Sequence, residues 1–382
     1  MGRNSVEMYC EPIEILDRLR GNSEMSRKDL GFLCGLIKKY KPKKIVELGV
    51  GGGGGTTAVI LNCISLLKLD TAVFSVDLDE NYYRNRSQKI GYLAEECKKI
   101  LQGSIKYKLF TGKFAPHCLP MIGEDIDFLI LDTVHSLPGE LLDFLACYPY
   151  LKRGSVVILH DIALNHLSYN PQFFATKLLL DMIVAEKIVM QETTSNIGAF
   201  IINEDTDKYI EDIFSALSIT WAYEPGTAEL AIYREFYEKY YPHESIRLFD
   251  AAVELNQKTL VKVRSTKEKA YKSLFKIIEN VKSKRVYIYG FGKRGKLLGY
   301  LLELAGIQVE GYIISDGQNK YDGNKKIFFL SEVCIDEKKD IILGGVNKYL
   351  RTEISTELDK KGIIDCYFPD DSIYSLFDGQ VF

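Results

Sequence analysis

The chain is poor in tryptophan (one), histidine (five) and proline (ten) for its 382 residues, and it carries no charge excess of either sign, 49 basic against 52 acidic. Without such an excess nothing in it calls for a nucleic-acid or membrane-surface partner. No apolar run is long enough to span a bilayer, and the opening "MGRNSVEMYCEPIEIL" lacks an apolar signal core, so the expected location is cytoplasmic. The eight cysteines, at 10, 34, 63, 97, 118, 147, 334 and 366, form no CxxC pair and no Cys/His cluster. That argues against structural zinc and a disulfide scaffold, and for reduced thiols. What remains is an ordinary globular composition, 46% hydrophobic and 26% charged, in a length that suits roughly two to three domains.

Glycine, by contrast, is concentrated. "KIVELGVGGGGGTTAVI" (44–60) places five consecutive glycines between an apolar strand pattern and a helical one. A glycine run has much backbone entropy to lose, so it suits a place where the chain turns left-handed or a ligand touches the backbone. Strand, glycine turn and helix together make an anion or nucleotide site. The short apolar runs 43–50, 72–79, 105–112, 126–134 and 154–162 read as buried parallel strands alternating with helices, and 186–193 and 196–204 as an antiparallel pair closing the sheet. A second strand–glycine–helix unit begins at 284. The fold class expected is α/β: a doubly wound, mostly parallel sheet over 1–235, a helical linker over 236–283, and a smaller Rossmann-like α/β domain over 284–382. In the linker Leu260, Val263, Ala270, Leu274, Ile277 and Val281 form a seam broken by Lys267. It reads as an amphipathic connector, with a dimerising coil, and hence a homo-oligomer, as the alternative.

The glycine run is no triphosphate loop, because Gly51–Gly55 lead into Thr56 and Thr57 with no lysine. It formally permits GxGxxG. Glu47, however, sets a carboxylate where a pyrophosphate would be repelled and a cationic amino group favoured, as in S-adenosylmethionine (SAM). With Glu47, Gly49, Gly51 and Gly53 at alternate positions, an acid ending strand two and an Asp ending strand four, residues 25–205 resemble the class I SAM-dependent methyltransferases. The resemblance implies that Glu47 and the Gly49–Gly53 backbone hold the methionine end, beside Thr56 and Asp132. It implies that Asp77, or its neighbour Asp79, takes the ribose hydroxyls, and that "FTGKF" (110–114) lies near the adenine.

Two further strand ends carry the chemistry: "LILDTVHSLPGE" and "VVILHDI". The carboxyl ends of strands rim the crevice of a doubly wound sheet, so Asp132 and Asp161 are expected to face one pocket with His135 and His160 nearby. Two carboxylates suit Mg²⁺ or Mn²⁺, which would acidify an acceptor hydroxyl. His135 has the intrinsic pKa of a base. The D-x-x-H pattern resembles that of the metal-dependent sugar O-methyltransferases of the macrocin and mycinamicin type and of the cephalosporin hydroxylase group. By that resemblance the catalytic residues are His135, Asp132 and Asp161, and the ion ligands Asp132, His160 and Asp161. His160 replaces the first of two acids there, with Asn165 a substitute ligand; His117 and His166 read as surface or packing residues. Tyr169, Phe173 and Phe174 are candidates to stack on a small, sugar-like acceptor.

Gly290, Gly292 and Gly295 follow "RVYIYG", with Asp316 ending the next strand, which matches a dinucleotide fingerprint in context. Lys293 and Arg294 would assist a nucleotide or nucleotide-sugar phosphate there. The function expected is methyl transfer from SAM to a hydroxyl of a sugar or nucleotide-linked sugar. Transfer to an amine, or a bifunctional or binding protein whose C-terminal domain takes NAD(P) or a nucleotide sugar, are the alternatives.

Overall fold

The structure, a computed structural model, describes residues 25–101, 105–168, 170–190, 195–320, 325–363 and 366–377. It divides into two compact units, Met1–Lys258 and Thr259–Phe382. In the first, a seven-stranded sheet runs in the order β3-β2-β1-β4-β5-β7-β6. Its strands are β1 (Lys44–Leu48), β2 (Ala72–Asp77), β3 (Lys106–Thr111), β4 (Ile126–Leu131), β5 (Leu151–His160), β6 (Glu186–Val189) and β7 (Ile197–Ile201). The first five are parallel, while β7 runs antiparallel to β5 and to β6. Continuous apolar runs such as "IDFLIL" have no polar face because helices cover both sides of a parallel sheet.

The helix Arg27–Tyr40 shows how local signals set an element. Ser26 caps its start, its hydroxyl accepting from the Asp29 amide at 3.2 Å, and Lys41 ends it in the left-handed conformation. Phe32, Leu33 and Leu36 on this helix join Val59, Ile60 and Ile64 of the helix Thr56–Leu66 in a core against Ile45, Phe128 and Ile158. Burying a side chain of this size stabilises by roughly 1.5–3 kcal/mol.

The chain order reverses between β1 and β4, and this opens the crevice at their carboxyl ends. The two ends are locked together: Asp132 N donates to the Leu48 carbonyl at 3.0 Å, and Gly49 N to the Val76 carbonyl at 3.0 Å. Gly49 has φ +87°, and a Cβ on it would lie 1.9 Å from the Asp132 carbonyl oxygen. Only glycine fits.

The second unit has a parallel sheet, β10-β9-β8-β11-β12, built from β8 (Arg285–Tyr289), β9 (Val309–Ile314), β10 (Ile327–Phe329), β11 (Asp340–Gly344) and β12 (Cys366–Tyr367). β10 and β12 had no counterpart among the expected strands; at three and two residues they are too short to show a pattern. One helix, His243–Val281, covers most of the expected linker. Ala270, Ile277 and Val281 are buried against Val286, Ile288 and Leu298, whereas Val263, part of the expected seam, is exposed. The other face of this sheet packs Ile313 and Ile342 against Ile354 and Leu358. None of the seven described cysteines is bonded, and among the described residues no helix is long and apolar enough to cross a membrane.

Gly49→Ala should lower unfolding free energy by about 3 kcal/mol or more, measured by urea denaturation, since it adds a backbone clash to a left-handed φ. An unchanged midpoint would mean that the loop can retreat from β4.

Candidate active site

The crevice holds a cavity of about 1130 Å³, walled by the glycine loop, the ends of β2 and β4, Lys113, Phe114, His135, His160 and Asp161. Ligand sites typically run from about 300 to 1,000 Å³, so there is room for a nucleoside-sized cofactor and an acceptor together. The expected cofactor residues Gly49, Gly51, Gly53, Thr56, Asp77, Asp79 and Asp132 all line it, as do Lys113 and Phe114 of "FTGKF".

Glu47 does not, and this corrects its expected contact with the cofactor. Its side chain is fully buried behind the loop, where Oε2 accepts from Thr57 Oγ1 at 2.8 Å and Ser75 Oγ at 2.5 Å. Alternation along β1 turns residue 47 into the protein, where Thr57 and Ser75 satisfy Oε2 while Oε1 is buried without a partner. Burial pushes its pKa up to about 7 against the pull of those two hydroxyls.

Asp77 lines the cavity but is already engaged. Its Oδ2 accepts from the amides of Val50 at 2.9 Å and Gly51 at 3.1 Å, and its Oδ1 from Asp79 N at 2.9 Å. It pins the loop, which leaves the exposed Asp79 carboxylate the freer of the two for a ribose. The loop's outer side closes on the start of the helix Tyr92–Ile100. Gly91 N and Leu93 N donate to the Gly51 and Gly52 carbonyls, both at 3.0 Å.

The acids of β4 and β5 meet. Asp132, His135 and Asp161 offer ligand atoms within 4.8 Å of one another, the group of this kind among the described residues. His135 Nε2 lies 3.2 Å from Asp161 Oδ2, whose other oxygen accepts from Asn196 Nδ2 at 2.5 Å. His135 Nδ1 is buried without a hydrogen bond, 3.6 Å from Glu140 Oε1. Both His135 (φ +59°) and Asp161 (φ +60°) are left-handed, a conformation that costs a non-glycine residue about 1–3 kcal/mol and gathers at functional sites.

His160 is not in that group, which corrects its expected place among the ion ligands. Its ring is buried, with Nδ1 3.1 Å from Asp132 Oδ1 and 3.4 Å from Asp161 Oδ2. Burial opposes its charged form, but the two carboxylates outweigh burial and hold its pKa well above the ordinary value. The ring thus lies between the acids, with Nε2 buried and without a partner. Asn165, the substitute ligand, has a buried Oδ1 with no partner. Phe173 stands edge-on to His135 at 6.4 Å, His117 and His166 are exposed, and Tyr169 lies outside the described residues.

Two donor oxygens and an imidazole suit a hard divalent cation such as Mg²⁺ or Mn²⁺, with waters completing its shell. Unforeseen in the sequence were Glu140 and Asp143, three apart on the helix Gly139–Cys147, with Tyr223, Glu229 and Tyr233. Glu140 accepts from the His135 amide, and Asp143 from Tyr233 Oη at 2.6 Å. Burial raises the pKa values of Glu140 and Asp143 to about 8 and about 6. Two acids in the apolar run "GELLDFLAC" were the available signal.

Residues 46–162 match a family described as a methyltransferase domain. The matched residues all lie in the first unit. Solved structures similar to the chain include the O-methyltransferase TomG from Streptomyces achromogenes in complex with SAM, 14% identical over 52% of this chain and 92% of that one, with a TM-score of 0.38. An O-methyltransferase from Bacillus cereus in complex with S-adenosylhomocysteine (SAH) is 16% identical over 50% and 89%, with a TM-score of 0.34. A cmcI structure with Mg and SAM is 16% identical over 45% and 69%, with a TM-score of 0.30. No residue role passes from these to this chain. No curated protein matches the chain.

In the second unit Gly290 and Gly292 line a separate cavity, but Gly295 and Asp316 do not, which corrects both. Gly295 packs the helix Lys293–Leu304 onto the turn: a Cβ there would lie 1.9 Å from the Gly290 carbonyl oxygen. Asp316 Oδ1 accepts from the Ser331 amide at 3.0 Å and its hydroxyl at 2.7 Å. Arg294 is paired with Asp371 at 2.7 Å.

A carboxyl whose folded pKa exceeds its unfolded value adds stability below the unfolded value, and that contribution is lost as pH rises through the folded one. For Glu47 the window runs from 4.5 to about 7. Glu47→Gln stays neutral, so its stability relative to wild type should rise between pH 5 and 8 by on the order of 3 kcal/mol. Parallel denaturation profiles would remove the buried-carboxyl assignment.

Proposed function

We propose that the first unit transfers the methyl group of SAM to a hydroxyl of a small acceptor, a sugar or nucleotide-linked sugar. The observation that supports this is the Asp132–His135–Asp161 group on the rim of the cavity that the glycine loop lines. SAM supplies an electrophilic methyl on a sulfonium and has no phosphate for the loop to grip. A divalent ion on Asp132 and Asp161, with His135 outside its shell, would supply a Lewis acid that lowers an acceptor hydroxyl's pKa.

The chain's own residues divide the remaining work. The loop backbone lies along the cofactor, Asp79 takes the ribose hydroxyls, and Phe114 and Lys113 wall the adenine end. At His135 only Nε2 faces the acids, because Nδ1 is sealed beside Glu140. The acceptor's proton therefore goes to Nε2, and Asp161 stabilises the imidazolium that forms. Nε2 cannot ligate an ion and accept a proton at once. Phe173, edge-on to the ring, offers an apolar surface to an acceptor. Resemblance in the D-x-x-H pattern supports the sugar, as does a cavity rim rich in hydroxyl and carboxylate groups.

Calorimetry with SAH should show binding to wild type and, unchanged, to His135→Ala. Transfer of labelled methyl from SAM to a panel of free and nucleotide-linked sugars should fall by about a hundredfold or more in that variant. EDTA should abolish transfer and magnesium restore it. Indifference to EDTA leaves His135 as base alone, and absence of SAH binding ends the reading.

A further inference from the structure

The second unit repeats the plan of the first without its acids. Its chain order reverses between β8 and β11, and at that switch point lies a cavity of about 600 Å³. The cavity has three kinds of wall. The turn Gly290–Gly292 forms one, where Gly290 has φ +98° and a Cβ on Gly292 would meet nothing within 4 Å. That open space belongs to the cavity, since Gly292 lines it. Leu350, Ile354 and Tyr374 make an apolar wall.

The third wall is a fixed carboxylate. Glu357, on the helix Arg351–Lys360, accepts at Oε2 from Tyr289 Oη at 2.8 Å and from Ser315 Oγ at 2.9 Å, and the two hydroxyls are 2.8 Å apart. Tyr289 ends β8 and Ser315 follows β9. In a dinucleotide fold this edge, beside the glycine turn, is where an acid takes the ribose hydroxyls. Asp316, the residue that spacing alone selects, is held by Ser331 instead.

We propose that this cavity binds a ribonucleoside diphosphate group, with the diphosphate on the Gly290–Gly292 backbone, the ribose on Glu357 and the base against the apolar wall. A free nucleotide, a dinucleotide and a nucleotide sugar share this chemistry. All the residues involved lie in the second unit, so the proposal is independent of the methyltransferase reading.

The test is calorimetry on the full chain with ADP, UDP, NAD and UDP-glucose, and with 2′-deoxy-ADP beside ADP. At least one of the four should bind with a Kd below about 1 mM, and the tightest names the source. Gly292→Val starts its side chain where a Cβ meets nothing within 4 Å, so it should keep its melting temperature and its SAH binding yet lose the nucleotide. Glu357→Gln should weaken ADP by about tenfold and erase its advantage over 2′-deoxy-ADP. Silence from all four nucleotides overturns the proposal, as does undiminished binding by a folded Gly292→Val. Equal affinity for ADP and 2′-deoxy-ADP in wild type overturns the role of Glu357.

Discussion

The missing side chain of Gly49 allows the loop after β1 to rest on the carbonyl of Asp132 after β4. Everything at the crevice follows from that contact. It brings the glycine loop, which can lie along a cofactor, against the strand end that carries the first acid of the reactive group. Asp77 then draws the Val50 and Gly51 amides toward β2. The loop is held from three strands, and two of its five glycines are taken up by packing: Gly53 and Gly54 leave no space for a Cβ against Gly91, Leu93 and Ala94.

Beyond the loop the crevice concentrates negative charge in a low-dielectric setting. Glu47, Glu140 and Asp143 respond by binding protons more tightly, since burial penalises their charged forms. Asp161 responds in the opposite way: burial would raise its pKa, but His160, His135 and Asn196 lower it. Asp161 is thus held toward its carboxylate form beside His160, while burial draws the supporting acids toward their protonated forms. That division suits a site where one pair must hold charge for a ligand or a proton and the rest must not compete for it.

The two units use one architectural rule with different occupants. Each places a glycine turn after its first strand at a switch point, and each needs a glycine for close backbone packing: Gly49 on Asp132, Gly295 on Gly290. The first unit then adds acids from β4 and β5. In the second, Asp371 after β12 is paired with Arg294 and Arg351, and Glu357 is recruited from a helix to Tyr289 and Ser315. A methyl-transfer site and a nucleotide pocket are consistent with those different side chains on similar sheets.

Much of this was legible in the residue order. Continuous apolar runs announced β1, β2, β4 and β5, because a strand covered on both faces needs no polar alternation. Strand ends announced the crevice, so Asp132, His135 and Asp161 were placed in one pocket before any coordinates. Side-chain direction and competition for partners were not legible. Glu47 looked available and is buried with Thr57 and Ser75, Asp316 matched a spacing and is taken by Ser331, and His160 adjoins Asp161 yet lies between the two acids. Glu229 and Glu357 reach their cavities from helices distant in sequence. Residue order alone set most of the strands and the glycine turns, since these depend on periodicity and backbone freedom; the strand order and the short β10 and β12 did not show in it. Which carboxylates face a ligand was decided only by the tertiary structure, because a buried acid goes wherever packed neighbours can supply its hydrogen bonds.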